Sequence, residues 1–190
     1  VKGRRDQKAA ILRERVQVMT ELADAMAYLH DHNVIHRDLK LSNVGIDAHG
    51  RIKLVDFGLA KILPKHNSDK DTFLLTANTG SVRYMAPEIG RGERYNLKAD
   101  VFSFGILFFE VLNLEKAWNG LQPQEIRQKV HHRKHRPAIS MFWPAPLKEL
   151  LKATWSDLPA ARLSMKHVHT VLAGYGKELA GASLSPGFDT

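Results

Sequence analysis

Apolar side chains at Leu12, Val16, Met19, Leu22, Ala23, Met26 and Leu29 recur at three- and four-residue steps. That spacing predicts one face of an amphipathic helix over about residues 9–31. Arg13, Glu14, Glu21 and Asp24 fall mainly on its other face. Residues 1–8 are polar and basic without periodicity and read as a linker or N-terminal remnant. Val34 and Ile35 follow as a short extended piece. Residues 44–55 read as a hairpin: Val44-Gly45-Ile46 and Arg51 to Val55 flank the turn-rich Asp47-Ala48-His49-Gly50. From Leu59 to Arg83 periodicity is lost, and so long an irregular stretch inside a domain is usually functional. Ala99 to Leu112 is apolar on nearly every side, as in a helix buried all round. Asp100 stands at its start, where a carboxylate can satisfy backbone N–H groups. Shorter helical patterns follow at about 123–131, 146–155 and 164–179, punctuated by prolines. From residue 180 onward the chain reads as a flexible tail. The expected fold is mainly α with a small β-hairpin inserted early.

Composition narrows the function classes modestly. The 190 residues suit one domain with one core. The absence of cysteine excludes a disulfide framework or a thiolate metal site, and no H-E-x-x-H zinc-protease motif is present. No apolar run is long enough to span a bilayer, since Val101 to Leu112 is short and contains Ser103, Gly105 and Glu110. The expected location is cytoplasmic, with the nucleus as an alternative. The net charge of +8 raises the question of an acidic partner. Run 131–136, His-His-Arg-Lys-His-Arg, invites a nucleic-acid reading, but without a reading motif a solvated loop between helices is preferred. Trp118, Trp143 and Trp155 read as core or interface residues.

Candidate chemistry concentrates around the hairpin. Asp38 and Asn43 lie in the loop before it, and Asp56 lies just after its second strand. A hairpin brings its outer ends together, so Asn43 and Asp56 converge although thirteen positions separate them. Two hard oxygen ligands at one strand end suit Mg²⁺ shared with substrate phosphates. Asp38 and Lys40 would border the same spot, offering a carboxylate for a hydroxyl nucleophile and a cation for a phosphoryl oxygen. Singly, each of these residues could be a mere turn or cap residue.

The stretch His36-Arg37-Asp38-Leu39-Lys40-Leu41-Ser42-Asn43 resembles the protein-kinase catalytic loop. Asp56-Phe57-Gly58 resembles the magnesium-binding D-F-G, Ala86-Pro87-Glu88 the A-P-E that closes the activation segment, and Asp100 to Gly105 the buried-helix motif that follows it. These motifs occur in family order over residues 9–179. The resemblance implies that Asp38 orients the attacking hydroxyl and that Lys40 contacts the transferring phosphoryl group of ATP. It implies that Asn43 and Asp56 hold Mg²⁺, and that Ser81 bridges Asp38 and Lys40. It further implies a buried Glu88–Arg162 ion pair, and an Arg37 that receives a phosphate from the activation segment, with Thr76 or Thr79 as the modified residue. His36 is expected to pack as a structural residue. Lys40 is similar to the serine/threonine pattern, and Tyr84 to Glu88 with Lys98 to Gly105 resemble the tyrosine-kinase-like branch. The implied partner is a protein bearing a Ser or Thr hydroxyl.

The sequence also departs from that pattern. No glycine-rich loop or paired lysine and glutamate precede residue 9, so the chain reads as the C-terminal lobe of a kinase whose β-rich N-terminal lobe is absent here. As it stands, negligible phosphotransfer is expected of it. Gly45 replaces the leucine that usually floors the adenine site. Leu158 and Leu163 replace an Asp and a Pro of a motif in which Trp155, Pro159 and Arg162 remain. A non-catalytic, kinase-like scaffold is therefore kept as the alternative. The intact Asp38, Lys40, Asn43 and Asp56 weigh against it.

Overall fold

The first apolar stripe does what its spacing demands. Val16, Met19, Leu22, Ala23 and Met26 are all buried along helix α1 (Lys2–Asp31). This computed structural model describes residues 2–65 and 71–182. Helix α1 starts well before the expected residue 9. Gly3 and residues 6–10 are exposed. Those exposed residues bury no face, so periodicity is silent there, while Gln, Lys and Ala are good helix formers.

Strand β1 (Val34–Ile35) follows, then a single 3₁₀ turn at Leu41–Asn43 and the hairpin of β2 (Val44–Ile46) with β3 (Ile52–Leu54). The hairpin register pairs Val44 with Leu54, Gly45 with Lys53 and Ile46 with Ile52. Its turn is closed by Asp47, whose Oδ1 accepts the N–H groups of His49 at 2.8 Å and Arg51 at 3.0 Å. Glu21 of α1 accepts the Ile52 N–H at 3.2 Å and so anchors the hairpin to the helix. The expected irregular stretch after Leu59 does contain a strand, β4 (Lys61–Ile62), antiparallel to β1. It also carries an isolated bridge from Phe73 to Tyr95.

A four-residue helix, α2 (Pro87–Gly90), leads to the central helix α3 (Lys98–Asn113). Every residue of α3 from Lys98 to Glu110 is buried, as its apolar sequence requires. Gly105 permits the close approach of α5 (Ala145–Thr154), because a Cβ there would lie 2.4 Å from Thr154 Oγ1. The start of α3 corrects one expectation. Asp100 does not cap its own helix; Asn96 Oδ1 takes the Lys98 N–H at 3.0 Å instead. The Asp100 carboxylate turns to a different loop, described below.

The helical pattern at 123–131 is α-helical only in α4 (Pro123–Ile126), and it continues as a π-helical turn, Arg127–His132. Within the basic run that follows, His131 is fully buried, and Arg136 lies over the Phe102 ring at 4.9 Å. Only residues 132–135 are exposed, so the run is not the single solvated loop expected of it. Trp118 and Trp155 are buried, and Trp143 and Trp155 pack on Phe109. The last helix, α6 (Met165–Ala182), packs along α1. It runs through 180–182, which were expected to begin the tail; the remainder of that tail, 183–190, lies outside the described residues. No helix among the described residues is long and apolar enough to cross a membrane.

Candidate active site

The loop between β1 and the 3₁₀ turn is fixed from below by α3. Asp100 Oδ2 accepts the His36 N–H at 2.8 Å, and Oδ1 accepts the Arg37 N–H at 2.9 Å. His30 Nε2 sits 3.1 Å from the same carboxylate. Arg37 has a positive φ of 67°, a conformation disfavoured for a residue with a Cβ, and the Asp100 clamp is what holds it. The sequence placed Asp100 at the right helix; the target of its side chain depends on a fold-level juxtaposition across 64 residues.

This clamp presents Asp38, which is largely buried. Each of its oxygens is engaged. Oδ1 accepts both the Ser81 N–H and the Ser81 hydroxyl at 2.9 Å. Oδ2 accepts from Lys40 Nζ at 2.6 Å and from Asn43 Nδ2 at 3.3 Å. Burial pushes the Asp38 pKa up, but the hydrogen bonds from Lys40 and Ser81 outweigh it and the net direction is down. The carboxylate is therefore ionised at neutral pH. Ser81 and Lys40 meet through opposite oxygens of Asp38, so the bridge between them is the carboxylate itself.

Asn43 also donates from Nδ2 to the Asp38 carbonyl at 2.9 Å, an orientation that leaves Oδ1 without a partner among the described residues. The Val55 N–H bonds the Asn43 carbonyl at 3.0 Å, so Asp56 follows directly after the rung that holds Asn43. Asp56 is exposed, with a positive φ of 60°. Its Oδ1 accepts the Gly58 N–H at 3.2 Å, and its other oxygen has no partner among the described residues. Two unengaged hard oxygens beside an ionised carboxylate fit a Mg²⁺ ion that takes its remaining ligands from phosphate and water. Phe57 packs edge-on against His36 at 5.2 Å, and His36 is fully buried, in keeping with a packing role. Gly45 leaves the hairpin open, since a Cβ there would meet only the Lys53 carbonyl oxygen, at 4.0 Å.

The segment after residue 71 closes over this loop. Gly80, with φ of 92°, lets Ser81 reach Asp38; a Cβ there would lie 2.3 Å from the Arg37 carbonyl oxygen. Two residues that the sequence did not flag position the rest. The Tyr84 hydroxyl donates to Glu110 of α3 at 2.6 Å, and Glu110's other oxygen accepts the Ala117 N–H at 2.8 Å. Burial first, and the Glu110 carboxylate second, push the Tyr84 pKa up, so it stays a donor. A lone Glu in an apolar helix was the available signal. Tyr95 is the second. It accepts from Arg37 at 3.5 Å and donates to the Thr76 carbonyl at 2.9 Å. Arg37 also gives its Nε–H to the Leu59 carbonyl at 2.6 Å. Thr79 Oγ1 donates to the same Thr76 carbonyl at 2.9 Å.

Further out, Glu88 and Arg162 form the expected buried pair, bidentate at 2.7 and 2.8 Å. Arg162 also donates to the Lys98 carbonyl at 3.0 Å and lies over the Phe102 ring at 5.1 Å. Leu158 points outward and Leu163 packs on the core, so their departures from the family pattern leave this pair intact. Cavities elsewhere include about 110 Å³ at the junction of α1, α3 and α6, about 420 Å³ between α1 and α6, and about 230 Å³ between α5 and α6.

Comparison with known proteins agrees with these motifs. The family model for the protein tyrosine and serine/threonine kinase domain matches residues 4–172. Serine/threonine-protein kinase STY17 of Arabidopsis thaliana is 34% identical over 83% of this chain and 26% of its own length. Dual specificity protein kinase shkB of Dictyostelium discoideum is 36% identical over 85% of this chain and 24% of its own length. Serine/threonine/tyrosine-protein kinase HT1 of Arabidopsis thaliana is 31% identical over 84% of this chain and 40% of its own length. The chain thus spans well under half the length of these relatives. It belongs to the protein kinase family, and these relatives are serine/threonine and dual-specificity kinases.

Proposed function

We propose that the protein transfers the γ-phosphoryl group of ATP to Ser or Thr hydroxyls of a protein substrate. The observation that carries this reading is Asp38, a carboxylate kept ionised by Lys40 and Ser81 beside the unengaged oxygens of Asn43 and Asp56. Asp38 orients the acceptor hydroxyl and takes its proton as the oxygen attacks phosphorus. Lys40, already in contact with Asp38, shares its charge with the transferring phosphoryl oxygens. Asn43 and Asp56 are the residues that would hold Mg²⁺. That ion, when bound, neutralises charge on the phosphate oxygens. Asp100 serves as a positioning residue, through the backbone of His36 and Arg37.

The test is phosphotransfer from labelled ATP to a generic protein substrate by the full-length protein. Phosphoserine or phosphothreonine should form, and Asp38→Asn should lose at least about a hundredfold in rate while still folding. Undiminished transfer by Asp38→Asn, or product found on tyrosine alone, would overturn this reading.

Arg37 is the proposed receiver of an activation-segment phosphate, and Thr76 is the better candidate of the two threonines. It is exposed, and its carbonyl is linked to Arg37 through the Tyr95 hydroxyl, whereas the Thr79 hydroxyl is already engaged. Phosphopeptide mapping of active protein should find Thr76 modified; an unmodified Thr76 counts against the assignment.

The open hairpin at Gly45 favours a second reading, a scaffold that retains the loop but holds ATP weakly. Gly45→Leu discriminates between the two. A floor restored under adenine contributes about 1–2 kcal/mol, or roughly a five- to thirtyfold lower ATP Kd. Absence of Mg·ATP binding in both forms of the full-length protein would give the scaffold precedence.

A further inference from the structure

Most guanidinium groups around the candidate site have an acceptor. Arg37 holds the Leu59 carbonyl, Arg91 the Glu93 carboxylate, Arg94 the Thr72 carbonyl and Arg162 the Glu88 carboxylate. Arg83 is different. Its side chain is half-buried and its Nη1 is shielded from solvent, yet no acceptor lies within hydrogen-bond distance among the described residues. A shielded donor on a permanently charged group is costly when unpaired, and such groups call for an explanation.

The backbone around Arg83 is held on both sides. Two residues before it, Ser81 is bonded to Asp38 through both N and Oγ. One residue after it, Tyr84 accepts the Ser103 hydroxyl on its carbonyl at 2.8 Å and gives its own hydroxyl to Glu110. Tight turns close across the same residues, Tyr84 N–H to the Ser81 carbonyl at 2.9 Å and Met85 N–H to the Val82 carbonyl at 3.3 Å. The backbone at Arg83 is therefore fixed two residues beyond the Ser81 that bonds Asp38. The carboxylates of Asp38 and Glu110 bond other groups, and neither lies within hydrogen-bond distance of Arg83.

We propose that Arg83 is a specificity-determining residue that pairs with an anionic side chain of the peptide substrate, a carboxylate or a phosphate close in sequence to the acceptor hydroxyl. This rests on the phosphotransfer reading above. The planar fork of a guanidinium matches both oxygen pairs bidentately. The reach of an arginine side chain from a point two residues beyond Ser81 puts the anionic residue within about four positions of the acceptor in an extended peptide. The net charge of +8 favours acidic peptides in the same sense.

The test is a positional-scanning peptide set phosphorylated by the full-length protein. The acceptor is fixed, and each flanking position out to four residues carries Ala, Lys, Glu or phosphoserine in turn. At one or two positions Glu should exceed Lys by about tenfold in kcat/KM. Arg83→Glu should invert that ratio, Arg83→Gln should flatten it, and Arg83→Lys should retain part of it. A phosphoserine rate above that of Glu at the same position identifies a previously phosphorylated protein as the substrate; the reverse identifies an acidic one. If Arg83→Glu does not fold, the ratio for Arg83→Gln decides. Phosphotransfer with no discrimination, or discrimination that survives in Arg83→Glu or Arg83→Gln, overturns the proposal and leaves phosphotransfer standing. An absence of phosphotransfer on every peptide overturns both.

Discussion

At the scale of single residues, the site is a competition over one carboxylate. Burial alone would raise the Asp38 pKa and favour its protonated form, and the Lys40 and Ser81 hydrogen bonds reverse the direction. Removing Ser81's hydroxyl therefore has a signed consequence. In Ser81→Ala the Asp38 pKa rises, less of it is ionised at a given acidic pH, and the acid limb of kcat/KM moves to higher pH. Ser81→Thr should restore the original limb. A carboxyl carbon NMR titration of Asp38 checks the same shift independently of turnover, and an unmoved pKa would show that Ser81 only packs. Asp38, Lys40, Asn43 and Asp56 were legible in the sequence because they lie in contiguous stretches on either side of one hairpin. Gly80 was less so. Its role depends on a 2.3 Å encounter with the Arg37 carbonyl that only the closed activation segment creates.

At the scale of elements, helix existence was legible and helix use was not. The all-apolar composition of α3 announced a buried helix, and every turn of it is buried up to Glu110. Its polar residues are what organise the neighbouring loops: Asp100 clamps the loop that carries Asp38, and Glu110 holds Tyr84. Neither partner is visible from local pattern, because both contacts join segments far apart in sequence. The missed first turn of α1 has the opposite cause, intrinsic propensity acting without a buried face. The pair Glu88–Arg162 links α2 to the loop between α5 and α6, and it carries an element-scale prediction. Arg162 is almost wholly buried and Glu88 likewise. Arg162→Met leaves an uncompensated buried carboxylate and should cost about 3–5 kcal/mol in denaturant unfolding. Glu88→Gln combined with Arg162→Met removes both charges and should recover a substantial part of that loss. A double variant no more stable than Arg162→Met would place the effect in the packing of Arg162 on Phe102.

At the scale of the whole molecule, one large titration outside the site sits where two elements meet. His131, in the π-helical turn after α4, is fully buried against α2, where a Cβ on Gly90 would strike its ring. Sequence presented it as part of a basic run, and local composition gives no means of separating it from exposed His132. Burial first, then the charge of Arg127, pushes the His131 pKa down to about 4; His132 and Arg91 act in the same direction, and the Met85 backbone opposes them. In the unfolded chain the pKa returns to about 6.5. Between those values the unfolded state binds more protons, so stability rises with pH across this window and is lost as pH falls from about 6.5 toward 4. The full span corresponds to roughly 3 kcal/mol. The carboxylates held down by their partners, Asp38 among them, add their own losses only at lower pH, near and below the ordinary carboxylate range. Urea unfolding at pH 7.5, 6.0 and 4.5 should therefore show a progressive fall in midpoint at unchanged slope. His131→Leu keeps an apolar filling beneath α2 and removes the titration, so its midpoint should vary much less over the same range. Equal pH dependence in both proteins would assign the acid sensitivity to the surface charge of a chain carrying +8, and His131 would be only a packing residue.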